Sequence, residues 1–179
     1  MKIREKIDVI VEKHPHHESL NKKLMDDVKE FHFFPPEQNS HYTNIQATQY
    51  NVRSHEVTSS MRTVMDWVKH LLVRDVEFLL GPAEHDARSN INIWFARYNK
   101  GDYTRSHYHL NYALYGFVYF VNTPKGSSPL VFTTSGKRIK PEEGKILIFP
   151  PQLFHHVPKN KCDGRITLSG NVGMVECND

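Results

Sequence analysis

Apolar residues recur in two rhythms along this chain, and the rhythm changes near residue 90. Met61, Val64, Met65, Val68, Leu71, Leu72, Val76 and Leu79 repeat at three- and four-residue steps, the spacing that puts side chains on one helix face. Ser59 and Ser60 offer N-cap hydroxyls at its start, and Gly81-Pro82 stops the pattern. Residues 19 to 31 predict a second, modest amphipathic helix. A break follows at Phe34 to Ser40, and Ile45 to Val57 predicts a strand with Tyr50 and Val52 turned inward. Beyond residue 90 the texture becomes short β-rich runs punctuated by Gly, Pro, Asn and Lys: Asn92 to Tyr98, Ala113 to Asn122, Leu130 to Thr133, Ile146 to Phe149 and Arg165 to Val175. Helices first and strands afterward predict an antiparallel sandwich or barrel with a helical layer on one face.

Length and composition sharpen this picture. A chain of 179 residues is read as one domain, with 1 to 88 as helical support and flanking strands and 89 to 179 as the β core. Hydrophobic residues make up 39% and charged ones 24%, which excludes a disordered chain. The formal charge of +3 comes from dispersed Lys and Arg, so there is no basic stripe and no specific nucleic-acid signal. No apolar stretch reaches signal-peptide or membrane-span length, and the two cysteines, Cys162 and Cys177, lack metal or disulfide-framework spacing. The expectation is a soluble, cytoplasmic protein with no membrane partner.

The 12 histidines are the unusual feature. His70, between the apolar positions of the long helix, reads as a solvent-facing or hydrogen-bonded residue. His107 and His109 are different. They stand at i and i+2 just before an apolar strand, and on an extended backbone alternate side chains share a face, so both rings can converge on one ion. A third ring comes from the strand-turn segment Ile146 to Pro158, which carries His155 and His156. Two ligands from one strand and one from a distant strand form a facial triad, leaving three open positions on an octahedral metal. Arg165 follows His155 by ten residues, and Thr167 shares its strand face. A guanidinium fork and a hydroxyl suit the far carboxylate of a diacid whose other end chelates the metal.

These residues in this order resemble a known family. The run from Trp94 to Asn171 is similar to the catalytic core of the 2-oxoglutarate/Fe(II)-dependent oxygenases, and within them to the prolyl-hydroxylase-like proteins of bacteria and phages. The likeness rests on Tyr98-Asn-Lys-Gly101-Asp-Tyr103, His107-Tyr-His109, Gly116-Phe-Val-Tyr119-Phe, the lead-in from Pro141 through Gly144 to Pro150, His155-His-Val-Pro and Arg165-Ile-Thr167. It implies a double-stranded β-helix of jelly-roll or cupin-like form, Fe(II) held by His107, His109 and His155, and 2-oxoglutarate anchored by Arg165 and Thr167. Tyr98, Tyr103, Tyr119 and Asn92 rank lower: the resemblance puts them on cavity-lining strands, with Tyr98 and Tyr119 as co-substrate contacts, whereas Tyr on a strand is more often core packing with a satisfied hydroxyl. Trp94 is read as core, and Asn171 as an outer partner of the site or a turn residue. Family spacing favours His155 over His156 as the distal ligand. The implied reaction is a dioxygenase hydroxylation of a C–H bond in a small-molecule or peptidyl substrate, with decarboxylation of 2-oxoglutarate to succinate.

One departure matters: His109 stands where the family places a carboxylate. Three neutral imidazoles leave the metal charge uncompensated, so the site should hold its metal weakly without the dianionic co-substrate. Two other readings follow. Gly101-x5-His107-x-His109 and Gly144-x5-Pro150-x4-His155 also match cupin spacing, which implies a three-His dioxygenase or isomerase that does not use 2-oxoglutarate. Against it, the chain has Ala113, Leu114 and Gln152 where that pattern expects a Glu and a Gly. A non-catalytic metal- or 2-oxoglutarate-binding module is the third reading.

Overall fold

Strands that must bury both faces need two layers around them, and the chain provides a helical layer on one side and a second sheet on the other. The computed structural model describes residues 6–35, 43–48, 56–76, 91–110 and 113–173. In chain order the elements are β1 (Ile10–Lys13), α1 (His17–Glu30), β2 (Gln46–Ala47), α2 (Ser59–Val76), β3 (Ile91–Tyr98), β4 (Thr104–His107), β5 (Tyr115–Asn122), β6 (Leu130–Phe132), β7 (Arg138–Ile139), β8 (Lys145–Phe149), β9 (His155–Val157) and β10 (Arg165–Val172). A six-stranded antiparallel sheet runs β1-β8-β5-β10-β3-β2, and a four-stranded one runs β4-β9-β6-β7. From β3 onward the chain crosses repeatedly between the two sheets. That winding is the double-stranded β-helix.

The larger sheet divides its side chains by parity. Ile93 and Phe95 of β3, Phe117, Tyr119 and Val121 of β5, and Ile166, Leu168 and Val172 of β10 pack with Leu20, Leu24 and Val28 of α1 and Met61, Val64, Val68, Leu71 and Leu72 of α2. Each such fully buried aliphatic or aromatic side chain contributes about 1.5–3 kcal/mol of transfer free energy. The opposite face of β3 and β10 carries Tyr98, Arg165, Thr167 and Asn171 and lines an internal cavity. A helix-backed sheet therefore presents a rigid polar ladder to the space between the sheets.

Several local expectations are refined. The long helix starts at Ser59, but its cap is Thr58, whose Oγ1 accepts the Met61 N–H at 3.1 Å. The same hydroxyl donates to Asp27 of α1 at 2.7 Å, and Ser60 donates to that carboxylate too, so the cap also ties the helices together. Within the expected strand at Ile45 to Val57 the described residues form β2 at Gln46–Ala47, and Tyr50 and Val52 lie outside the described residues. Leu79, the Gly81-Pro82 stop, Val175 and Cys177 also lie outside them. His70 is exposed, as expected. Among the described residues, no helix is long and apolar enough to cross a membrane.

Candidate metal centre

Antiparallel pairing creates the centre. In the β4–β9 ladder His107 stands directly opposite His155, so the two rings emerge side by side, with centroids 4.3 Å apart. A register irregularity between Thr104 and His107 re-aims the end of β4. His109 lies two residues further on, its N–H donating to the Pro151 carbonyl at 2.8 Å. Its ring centroid is 5.3 Å from that of His107 and 5.1 Å from that of His155. One ligand atom from each of the three rings lies within 4.8 Å of the others. Gly116 makes room for this packing, because a Cβ there would press to 3.2 Å from His109 Nδ1 and 3.0 Å from the Phe149 ring.

The hydrogen bonds fix the tautomers. His107 Nδ1 donates to the Arg105 carbonyl at 2.9 Å, and His155 Nδ1 donates to the Leu153 carbonyl at 2.9 Å. His109 Nδ1 donates to Asn171 Oδ1 at 2.6 Å. With Nδ1 as donor in all three, each ring carries its lone pair on Nε2, the arrangement that outer partners impose on metal-ligating histidines. Burial keeps the rings neutral: it depresses His107, pushes His109 down to about 4 and holds His155 well below the ordinary value of 6.5. The donor set fits a divalent cation that accepts imidazole.

Arg165 shares the cavity and is fully buried. Its Nε donates to the Ser128 carbonyl at 3.1 Å, and its guanidinium carbon sits 4.4 Å from the Tyr98 ring centroid and 5.4 Å from that of Phe120. Nη1 has no hydrogen-bond partner. Burial lowers its pKa from the ordinary arginine value, opposed by Tyr98. The cavity measures about 700 Å³, and among the described residues no Asp or Glu lines it. A buried cation, an orphaned donor and three imidazoles with no counter-charge describe a receptor for an anion.

The other expected residues divide. Thr167 lies on the Arg165 face of β10, its Oγ1 3.3 Å from Ser169 Oγ. Tyr98 faces the cavity, with its hydroxyl 2.8 Å from Thr104 Oγ1. Tyr119 does not. Its hydroxyl donates to Asn21 of α1 at 2.6 Å, and its ring packs among the residues between the sheet and the helices. Asn92 and Trp94 line the cavity, and Trp94, half-buried, also packs against the small core cluster of Ile45, Ala96, Tyr98 and Val157. Tyr103 lines an adjoining hollow instead. His156 turns toward Thr133, 2.9 Å from its hydroxyl, and stands outside the triad. Ser169 and the Ser128 carbonyl were not anticipated. The period-two run Arg165, Thr167, Ser169, Asn171 was the legible signal for Ser169, whereas a backbone carbonyl such as that of Ser128 leaves none.

No protein-family model matches the sequence, and no curated protein matches it significantly. Solved structures do. A Pseudomonas putida prolyl-4-hydroxylase superposes with a TM-score of 0.70 at 16% identity, over 93% of this chain and 92% of that one. A prolyl hydroxylase from Trichoplax adhaerens, solved with a hypoxia inducible factor peptide fragment, gives 0.68 at 12%, over 92% and 83%. The fold is that of the prolyl hydroxylases. The viral collagen prolyl hydroxylase of Paramecium Bursaria Chlorella virus-1, solved as a 2OG complex, agrees, with a TM-score of 0.63 at 15% identity over 90% and 94%. Identities this low carry the architecture, and function must be argued from the site.

Proposed function

We propose that this chain is an Fe(II)- and 2-oxoglutarate-dependent oxygenase that hydroxylates a C–H bond of a peptidyl or small-molecule substrate. The reading rests on one observation: three converging, neutral imidazoles and a fully buried guanidinium with an orphaned donor share one cavity that no described carboxylate lines. A diacid that chelates a metal with one end and meets Arg165 with the other answers both demands. The solved neighbours are described as prolyl hydroxylases, one of them as a 2OG complex, which supports the same choice. Residues 1–88 then serve as support for a catalytic core at 89–179.

His107, His109 and His155 would hold the metal through Nε2. When bound, Fe(II) supplies the redox chemistry by which 2-oxoglutarate, O₂ and R–H become succinate, CO₂ and R–OH. The protein's own groups prepare that exchange. The Arg105 and Leu153 carbonyls and the Asn171 amide hold the ring tautomers, so no proton must leave Nε2 when metal enters. Arg165 would pair with the distal carboxylate of 2-oxoglutarate and Thr167 would donate to it, a charge-assisted contact strengthened by the burial of the guanidinium. Tyr98 roofs the guanidinium and limits water access to it.

Purified protein given Fe(II), 2-oxoglutarate and oxygen is expected to form succinate, and His155→Ala to form none. Absence of succinate from wild-type protein that binds both metal and 2-oxoglutarate would reduce the site to a binding module. The all-imidazole ligand set also suits a cupin-type enzyme that ignores 2-oxoglutarate. In that case metal uptake and activity would be indifferent to Arg165.

A further inference from the structure

The mouth of the cavity carries features that neither a metal nor a small diacid uses. Five large hydrophobic side chains are exposed among the described residues, and three of them, Tyr108, Leu110 and Phe154, are chain neighbours of the histidine ligands. The Tyr108 and Phe154 rings touch, with centroids 4.6 Å apart, and both line the cavity. Their backbones are tied down: the neighbouring His109 N–H donates to Pro151 at 2.8 Å, and the Phe154 carbonyl accepts from the Thr133 N–H at 2.7 Å. This is a pre-formed apolar shelf beside the reacting position, where contiguous exposed apolar surface marks a contact site.

A second hollow of about 450 Å³ continues the cavity, sharing Thr104, Ser106, His156 and Val157 with it. Its wall adds two exposed cations, Arg105 and Lys159. Thr133 Oγ1 stands 2.7 Å from Ser106 Oγ and 2.9 Å from His156 Nδ1, so hydroxyls line the floor. No carboxylate lines this hollow among the described residues.

We propose that this face docks an extended acidic peptide, with an apolar side chain on the Tyr108 and Phe154 shelf and carboxylates reaching Arg105 and Lys159. The proposal rests on the oxygenase reading and specifies its substrate class. Charge selects an anionic partner, and the arrangement selects a peptide. Two cations beside hydroxyls match one or two carboxylates on a hydrogen-bonding main chain. A nucleic acid presents a phosphate at every step and needs a longer cationic track.

The test pans wild-type protein, with and without Mn(II) and 2-oxoglutarate, against a degenerate peptide library, and titrates it with a single-stranded oligonucleotide. Selected peptides are expected to carry Asp or Glu beside a prolyl, aromatic or aliphatic position. Arg105→Glu with Lys159→Glu is expected to weaken a selected peptide about tenfold, as reversed rim charges do. Tyr108→Ser with Phe154→Ser should erase the apolar preference and keep the acidic one, with thermal melts checking that both variants fold. Selection of basic sequences, no selection, or tighter binding of the oligonucleotide overturns the proposal. The two readings fail separately. Succinate formation without acidic-peptide selection refutes docking alone, whereas peptide selection by a protein that binds neither metal nor 2-oxoglutarate refutes the oxygenase reading.

Discussion

Replacing Arg165 with Met is expected to abolish capture of 2-oxoglutarate while leaving the metal-free protein as stable as the wild type, or more so. A buried ion keeps a desolvation penalty of several kcal/mol, and no described acidic side chain offsets it here. Against that cost stand the Nε bond to Ser128, about 1.5–3 kcal/mol for a charged donor, and the Tyr98 and Phe120 ring contacts, about 1–2 kcal/mol together. The two sides nearly cancel. Met fills much of the same space without a charge, so the melting temperature should move by no more than about 4 °C, at about 2–4 °C per kcal/mol for a chain of this size. Ligand then separates the proteins. With Mn(II) present and 2-oxoglutarate at a hundred times its Kd, the wild type gains about 2.7 kcal/mol and melts correspondingly higher. Arg165→Met should show no such gain. A variant that melts more than about 10 °C below the wild type yet keeps the 2-oxoglutarate shift would refute the argument, because the guanidinium would then be a structural group and the anion site would lie elsewhere.

Three further outcomes follow from the same geometry. His109→Asp introduces a charged ligand and should tighten metal binding in the absence of 2-oxoglutarate by about tenfold or more, read by competition with a chromophoric chelator; unchanged affinity would contradict the charge argument. The metal-free protein should lose stability as pH falls below 6.5, because His109 and His155 are held neutral when folded and the unfolded chain takes up their protons first. For His109 that loss reaches about 3 kcal/mol by the folded value of about 4, is absent above neutrality, and is measured by urea melts across pH. Thr58→Ala removes the α2 cap and its bond to Asp27 and should cost about 1–2 kcal/mol in the same melts, without changing metal affinity.

Much of this site was legible because strands impose simple parity. His107 and His109 at i and i+2, and Arg165 with Thr167, announce shared faces, and the pairing of β4 with β9 then sets His155 opposite His107. The strands at Asn92 to Tyr98 and Ile146 to Phe149 stand out because their apolar runs end at turn residues. The direction of Tyr119, toward the helices, is not legible in the sequence. Both faces of β5 are buried, one under helices and one toward the cavity, so no alternation of polar and apolar residues marks which face points where. The cap at Thr58 was hidden among three consecutive hydroxyl residues, and the choice is made by Asp27, a contact across 31 positions. β1 was missed because a four-residue edge strand, Ile-Val-Glu-Lys, is defined by its ladder with β8 rather than by its own pattern.

The most direct test of the central claim is an anaerobic titration with Fe(II) and 2-oxoglutarate that follows the weak visible charge-transfer absorption of their chelate. A band is expected only when both are present, lost in His155→Ala and Arg165→Met and retained in His156→Ala. A band that persists without Arg165, or that disappears only with His156, would contradict the claim.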